Sequence, residues 1–184
     1  MVLLESQVKL QAGDSAPDFE LVGIDDKKHT LSDYNEYQGI LIIFMCNHCP
    51  YVKAKFDAFN EVYEKFGEKI AIVGINSNDS TDYPEDSFEN MKLTAKEKGI
   101  KFDYLVDTTQ QIAKKYGAMC TPDPFLFDKD GELVFHGRID NAMKPDDTAT
   151  EKTMILNIEK LLSNEKIEKD FDPSIGCSIK WKEN

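Results

Sequence analysis

The sequence is almost without arginine, and it is short of positive charge relative to negative charge. Arg138 is its single arginine, and 22 basic residues stand against 34 acidic ones, for a net charge of −12. An acidic surface repels phosphate backbones and anionic lipids. One arginine cannot build the cluster that holds phosphates or carboxylates through paired hydrogen bonds. These two shortages argue against nucleic-acid and membrane partners.

The sequence also has no apolar run long enough to span a bilayer. Its first residues, MVLLESQVKLQAG, show neither the basic start nor the apolar stretch of a secretory signal. We therefore expect a cytoplasmic protein, where a close cysteine pair is more often catalytic or metal-binding than structural. The length of 184 residues suits one domain, predicted over 1–184.

Histidine and cysteine are scarce, but two of the four cysteines are close together. Cys46 and Cys49 form a C-x-x-C pair in the stretch CNHCPYV. A structural zinc site takes four ligands, usually from a second such pair or from two nearby histidines. The other candidates are isolated along the chain: His29, His136, Cys120 and Cys177. We predict no metal and no other cofactor.

Apolar runs and helical periodicities alternate along the chain. After the apolar run over residues 40–45, apolar residues recur at helical spacing from Pro50 to near Gly67. This alternation predicts an α/β fold with parallel strands, crossover helices and an antiparallel edge. Functional sites in such sheets lie at the carboxyl ends of strands, which is where Cys46 falls. The predicted strands are 40–45, 69–75 and 102–107, with a hairpin over 125–137.

The position of the cysteine pair predicts thiol chemistry. Cys46 stands at a helix start, where the positive end of the helix dipole stabilises a thiolate, and His48 adds a donor or a positive charge. We expect the pKa of Cys46 to be lowered into the range of about 3.5–7.5 known for such sites. The two-residue gap lets Cys49 release a mixed disulfide formed at Cys46. Cys46 is thus the predicted nucleophile, Cys49 the resolving thiol and His48 a catalytic neighbour.

A strand ending in C-x-x-C, a helix and a much later Thr-Pro before a strand resemble the thioredoxin fold. The Thr-Pro is Thr121-Pro122, in CTPDPFLFD. The resemblance implies that Pro122 is cis and lies against the dithiol, and that the backbone at Thr121 pairs with an extended partner. Asn47, between the two cysteines, and Pro50, just after them, complete the predicted substrate-binding set.

Further segments narrow the resemblance to the redoxin branch, the AhpC/TSA superfamily. APDFEL, DDKKHTLSDY and KDGELVFHGRID resemble that branch; CNHCPYVK, INSND, YPEDS and PSIGCSIKW resemble small bacterial thioredoxin-family proteins. The family implies a central mixed sheet flanked by helices. A core over 13–163 carries an N-terminal redoxin extension, and a tail over 164–184 packs on it. It also implies a thiol–disulfide oxidoreductase acting on a protein or small-molecule disulfide, with a thioredoxin- or glutathione-type reductant.

Two alternatives stay open. One is a thiol peroxidase with antioxidant activity. Peroxiredoxins place a hydroxyl residue three positions before the peroxidatic cysteine and supply a distant arginine. Here Cys49 would take the peroxidatic position, Cys46 replaces the hydroxyl residue, and Arg138 lies too early. The other alternative is a non-catalytic redox-sensing or binding module.

The remaining thiols and a polar loop complete the candidates. Cys120 reads first as a small buried apolar residue. We hypothesise that the tail brings Cys177 near Cys120, as a second pair or a shuttle. The loop 76–86 leaves the carboxyl end of a strand, so it should border the site, where Asn76 and Asn78 are contact candidates. Its acidic residues are expected to form a solvated surface.

Overall fold

The computed structural model describes residues 2–183. Within that range the chain forms eleven strands and five α-helices, with short 3₁₀ turns at Leu31–Tyr34 and Pro84–Asp86. The strands are β1 Leu3–Glu5, β2 Glu20–Gly23, β3 Lys28–Thr30, β4 Gly39–Phe44, β5 Ala71–Asn76, β6 Asp103–Val106, β7 Cys120–Thr121, β8 Asp123–Asp128, β9 Leu133–Gly137, β10 Phe171–Asp172 and β11 Ile175–Ser178. The helices are α1 Pro50–Lys53, α2 Phe56–Phe66, α3 Phe88–Lys98, α4 Gln111–Tyr116 and α5 Thr153–Leu162.

The main sheet is mixed and has eight strands, in the order β10-β9-β8-β4-β5-β6-β2-β3. Strands β4, β5 and β6 are parallel neighbours, while β8 pairs antiparallel with β4 and forms a hairpin with β9. Strand β4 is buried along its whole length because it packs on both faces. Leu41 and Ile43 face one apolar cluster, and Ile42 and Phe44 face the other. The predicted α/β class with a central mixed sheet is confirmed.

The helix predicted after the cysteine pair is interrupted. Helix α1 ends at Lys53 and α2 begins at Phe56. At the break, the N–H of Lys55 donates to the carbonyl of Val52 in a tight turn, and its side chain forms an ion pair with Asp140 at 2.5 Å. The short α1 therefore orients the cysteine loop separately from α2, whose apolar face is in the core. No helix within residues 2–183 combines the length and apolar composition needed to cross a bilayer.

A second, three-stranded sheet brings both ends of the chain to the carboxyl edge of the main sheet. Its order is β1-β11-β7, and β11 pairs antiparallel with both neighbours. Cys177 stands opposite Leu3 on one side and opposite Thr121 on the other. The sequence pattern did not indicate β1 or β11, since each is short and pairs with a segment far away. The division into a core over 13–163 and a tail over 164–184 stays a prediction.

Candidate active site

The two sulfur atoms of the C-x-x-C pair both contact Thr121. Cys46 follows the end of β4, and Cys49 occupies the N-cap position of α1. Sγ of Cys46 lies 3.2 Å from Oγ1 of Thr121, and the sulfur of Cys49 lies 3.3 Å from its carbonyl oxygen. The Thr121-Pro122 peptide bond is cis, as predicted. Cys46 and Thr121 are 75 residues apart in sequence, so the fold brings the dithiol and the Thr-Pro segment into contact.

Cys49 forms a disulfide bond with Cys177, 128 residues further along the chain. Their Cα atoms are 6.1 Å apart, within the usual range for a disulfide. Cys46 and Cys120 are free thiols in this structure. The hypothesised second pair between Cys177 and Cys120 is therefore wrong, although the tail does bring Cys177 beside the strand that holds Cys120. The strand register explains why these two cysteines do not pair: Cys177 is opposite Thr121, and Ser178 is opposite Cys120.

The pKa of Cys46 is raised to about 12, not lowered as the sequence pattern predicts. Burial is the main cause, and the negative charge of Asp86 adds to it. The Thr121 hydroxyl, the backbone N–H of Cys49 and the ammonium group of Lys180 act in the opposite direction but do not outweigh burial. In the form with Cys49 bonded to Cys177, Cys46 is therefore a buried, protonated thiol.

His48 pairs with an acid that the sequence pattern placed on the surface. Its Nδ1 atom lies 2.5 Å from Oδ2 of Asp86, and both side chains are buried. The other carboxylate oxygen accepts the backbone N–H groups of Asn47 at 2.7 Å and His48 at 3.2 Å, and Asn78 donates to Oδ2 at 2.8 Å. Burial alone would raise the pKa of Asp86, but these hydrogen bonds hold it below its usual value.

The expectation of a solvated acidic loop is thus wrong for Asp86. The 3₁₀ turn before α3 directs this carboxylate at the backbone N–H groups of Asn47 and His48, which are buried and therefore need an acceptor. The ring of Tyr83 stacks on His48 with centroids 4.4 Å apart. Asn76 donates to the backbone carbonyl of Asp86 at 3.2 Å. The loop therefore contacts the site. The sequence pattern gave no signal for this role of Asp86, because Asn47 and His48, whose N–H groups it accepts, are 39 and 38 residues away along the chain.

The predicted substrate-binding residues have different surroundings. The side chain of Asn47 is already engaged, donating to the carbonyl of Glu85 at 2.8 Å and accepting the Tyr104 hydroxyl at 3.0 Å. Pro50 is the first residue of α1 and is partly buried. Thr121 presents its backbone to β11, so the edge predicted for a partner is occupied by the protein's own tail.

Beside this cluster lies a second buried acid–histidine pair. Oδ1 of Asp123 is 2.8 Å from Nε2 of His136, and the imidazole stacks on Phe125 with centroids 3.9 Å apart. Burial raises the pKa of Asp123. Asp123 follows the cis proline directly, so the pair ties the Thr-Pro segment to the β8–β9 hairpin. Sequence reasoning treated His136 only as an isolated metal-ligand candidate.

The donor set for a metal ion is small. Among residues 2–183, one group of three buried side chains brings its potential ligand atoms within 4.8 Å of one another: Cys46, His48 and Asp86. Structural zinc sites take four ligands. The sequence-based expectation of no metal stays a prediction.

Cys120 is buried, and burial raises the pKa of its thiol well above the usual value.

The comparison with family models assigns the chain. Residues 12–136 match the AhpC/TSA family. The chain belongs to the AhpC/TSA family. The matched range contains the cysteine pair, Asp86 and the Thr-Pro segment, and it ends before β10 and β11. The disulfide partner Cys177 therefore lies outside the part of this AhpC/TSA protein that the family model describes.

Relatives and solved structures agree with this assignment. Over 127 residues the chain is 32% identical to the thiol-disulfide oxidoreductase ResA of Bacillus anthracis, covering 68% of this chain and 69% of that protein. A crystal structure of an uncharacterized conserved protein from Geobacillus kaustophilus covers 100% of this chain and 98% of its own, at 38% identity and a TM-score of 0.93. A hypothetical protein from Sinorhizobium meliloti 1021 covers 98% and 99%, at 34% identity and a TM-score of 0.89.

The similarity to ResA confirms the predicted activity class of this AhpC/TSA protein, a thiol–disulfide oxidoreductase. Its fold is similar to that of the thioredoxin domain of a thiol-disulfide oxidoreductase from Bacteroides vulgatus, at 17% identity and a TM-score of 0.60 over 70% of this chain and 89% of that one. The peroxidase alternative is not favoured. Arg138, the arginine considered for that alternative, forms an ion pair with Asp172 of β10 at 2.6 Å.

Proposed function

We propose that Cys46 and Cys49 are the working dithiol, with Cys46 forming the mixed disulfide and Cys49 resolving it. The observation that carries the proposal is the contact of both sulfurs with Thr121, beside the cis Pro122. In the reduced protein the Cys46 thiolate attacks one sulfur of a partner disulfide, and the partner's other sulfur leaves and takes up a proton. The Cys49 thiolate then attacks the Cys46 sulfur. A Cys46–Cys49 disulfide forms, and the partner leaves with two thiols.

His48, oriented by Asp86, accepts the proton of the reacting thiol in this cycle. Ligand atoms of Cys46, His48 and Asp86 lie within 4.8 Å of one another, which puts the imidazole near the reacting thiol. Nε2 of His48 is buried and has no hydrogen-bond partner within residues 2–183, so one ring nitrogen is available for proton transfer. Asp86 contacts Nδ1 and acts as a positioning residue.

The partner is an extended polypeptide segment that carries a disulfide. The antiparallel pairing of β11 with Thr121 supports this, because it shows that the edge accepts an extended strand. A partner strand takes the same edge when the tail is displaced, with Pro122, Asn47 and Pro50 around it. A thioredoxin- or glutathione-type dithiol or thiol restores the reduced pair. The cytoplasmic location and an antioxidant role stay predictions from the sequence.

Insulin-disulfide reduction, measured beside hydrogen peroxide consumption, tests the proposal. Wild-type protein is expected to accelerate insulin reduction by dithiothreitol and to consume little peroxide. Cys46→Ser is expected to abolish the acceleration, whereas Cys120→Ser, which removes a buried thiol outside the pair, should keep it. The assignment would be overturned if Cys46→Ser accelerated insulin reduction as much as the wild-type protein does. It would also be overturned if the wild-type protein consumed peroxide faster than it reduced insulin.

Partner capture identifies the substrate class. The variant should carry Cys49→Ser together with Cys177→Ser, so that neither thiol can release a mixed disulfide at Cys46. Mixed disulfides with polypeptides are expected, and reduction should release them. Adducts formed only with small thiols would contradict a polypeptide partner.

A further inference from the structure

We propose that Cys177 is a third redox-active thiol of this site, presented to the dithiol by β11 as an internal substrate. The inference rests on the proposed function, because Cys46 and Cys49 are the pair with which Cys177 exchanges. The oxidised protein then holds one disulfide in two interconverting forms, Cys49–Cys177 and Cys46–Cys49.

Thr121 is the point on which the three thiols converge. Cys46 contacts its hydroxyl at 3.2 Å, and Cys49 contacts its carbonyl oxygen at 3.3 Å. Cys177 stands opposite Thr121 in the β11–β7 register and is bonded to Cys49. A strand paired on this edge, with its thiol bonded to one cysteine of the dithiol, lies where a docked substrate strand would lie; the bond is to Cys49, the resolving thiol, and not to Cys46. Here the docked strand belongs to the same chain.

The tail is held in place independently of the disulfide. Strand β11 is sandwiched between β1 and β7, and the N–H of Ser178 donates to the carbonyl of Val2 at 2.9 Å. Beyond the strand, the N–H of Ile179 donates to the carbonyl of Met119 at 2.9 Å, and that of Lys180 to Asn78 Oδ1 at 2.8 Å. Cys177 therefore stays beside the dithiol when its bond to Cys49 opens, which makes the exchange intramolecular.

The exchange needs no outside oxidant or reductant. The Cys46 thiolate attacks the sulfur of Cys49, the Cys46–Cys49 bond forms, and the Cys49–Cys177 bond breaks. Cys177 leaves as a thiolate and takes up a proton, while Cys46 has lost one. The number of disulfides stays the same. The reverse step, attack of the Cys177 thiolate on Cys49, restores the form seen in the structure.

The two forms differ in what a partner meets. With Cys49 bonded to Cys177, the resolving thiol is withdrawn, Cys46 is buried, and the Thr121 edge is occupied. With Cys46 bonded to Cys49, backbone hydrogen bonds still hold the tail, but it has no covalent link, so a partner strand that competes for those bonds can displace it from that edge. The Cys49–Cys177 bond thus keeps the oxidised protein in a form in which a partner cannot reach the dithiol or the Thr121 edge.

Gly176 offers a way to weaken the docked tail without removing a thiol. A Cβ atom at this position would fall 2.0 Å from the carbonyl oxygen of Thr121 and 2.6 Å from its carbonyl carbon. Both are backbone atoms, so they cannot move aside as a flexible side chain would. Gly176→Ala should therefore push β11 away from β7 and disfavour the Cys49–Cys177 bond.

Tryptic peptides distinguish the two disulfides in the full-length protein. Cleavage after lysine puts Cys46 and Cys49 in one peptide, 29–53, and Cys177 in another, 170–180. The protein is equilibrated with glutathione at graded ratios of oxidised to reduced form, quenched with acid, alkylated and digested without reductant. We expect both the linked pair of peptides and the internally bridged peptide 29–53, at the same ratio from either starting state.

The variants are expected to shift that ratio in opposite directions. Cys46→Ser should leave the linked pair as the single disulfide product. Gly176→Ala should shift the ratio toward the internally bridged peptide by about tenfold or more, equivalent to about 1.4 kcal/mol. Gly131→Ala is the matched control: its backbone also disfavours alanine, with φ of +77°, but its Cβ contacts nothing within 4 Å. It should leave the ratio unchanged.

Failure of this inference is distinct from failure of the proposed function. If Cys177 stays alkylated at every glutathione ratio while insulin reduction still needs Cys46, the third thiol is overturned and the dithiol assignment stands. Equal ratios for Gly176→Ala and Gly131→Ala would also overturn it. If Cys46→Ser reduces insulin as well as wild type does, the proposed function itself fails.

Discussion

Nδ1 of His48 lies 2.5 Å from Oδ2 of Asp86, and this contact joins the cysteine loop to the loop that follows β5. The same carboxylate accepts two backbone N–H groups of the cysteine loop. Burial is the main cause of the raised pKa of Cys46, and the negative charge of buried Asp86 next to the dithiol adds to it. A histidine between two cysteines would by itself suggest the opposite effect.

Asp86→Asn is expected to change thiol reactivity and turnover in opposite directions. Loss of the negative charge lowers the pKa of Cys46, so alkylation by iodoacetamide at pH 8 should become faster. Loss of the acid that orients His48 should slow insulin reduction by about tenfold or more. Asp82→Asn, in the same segment but exposed, should change neither rate. Slower alkylation of Asp86→Asn, or insulin reduction at the wild-type rate, would contradict these two roles of Asp86.

The stability contribution of Asp86 should depend on pH. Its pKa in the folded protein lies below the ordinary value of 3.8, so its carboxylate stabilises the fold above pH 3.8. That contribution is lost as pH falls through the lowered pKa. The difference in unfolding free energy between wild type and Asp86→Asn, measured in urea, should therefore shrink below pH 3.8. A constant difference down to strongly acidic pH would contradict the assigned shift.

Alkylation of Cys46 in the Cys49–Cys177 form should keep accelerating with pH well past the ordinary thiol range. Because its pKa is about 12 instead of 9.0, the thiolate fraction rises about tenfold per pH unit through pH 9 and above. Peptide mass spectrometry of 29–53 follows Cys46 apart from Cys120. A plateau at or below pH 9 would contradict the raised pKa.

Thr121→Val provides the matched test of the hydroxyl contact. The Thr121 hydroxyl lowers the pKa of Cys46, so the isosteric valine should slow alkylation at each pH. Thr148→Val, at an exposed position, should leave the rate unchanged. Faster alkylation of the Thr121→Val protein would show that the hydroxyl shields the sulfur instead of stabilising its thiolate.

Asp123→Ala should destabilise the protein by about 3–5 kcal/mol, because it leaves buried His136 without its carboxylate partner. Asp123→Asn should cost less, since the amide oxygen still accepts the hydrogen bond from Nε2. Urea unfolding measures both. Asp130→Ala, in the exposed turn of the same hairpin, should stay within about 0.5 kcal/mol of wild type. An equally small change for Asp123→Ala would show that the pair contributes little to stability.

The elements that were predicted correctly have a local signature. Strand β4 is a continuous apolar run, the hairpin has a Lys-Asp-Gly turn, and Cys46 follows a buried strand. The Thr121-Pro122 segment was predicted through the family resemblance, and its cis bond is confirmed. Such signals depend on neighbouring residues, so they can be read from the sequence. The interruption at Lys55 was missed because its cause includes an ion pair with a residue 85 positions away.

The C-x-x-C spacing, the strand before it and the later Thr-Pro were enough to predict a thioredoxin-like thiol–disulfide oxidoreductase. They could not reveal that Cys49 is bonded to Cys177, that Asp86 is buried against His48, or that Cys46 is protonated. Those properties depend on long-range strand register and on burial, which arise only when distant segments pack together. A sulfur's neighbours across 128 residues of chain are set by that packing, and its pKa follows from them.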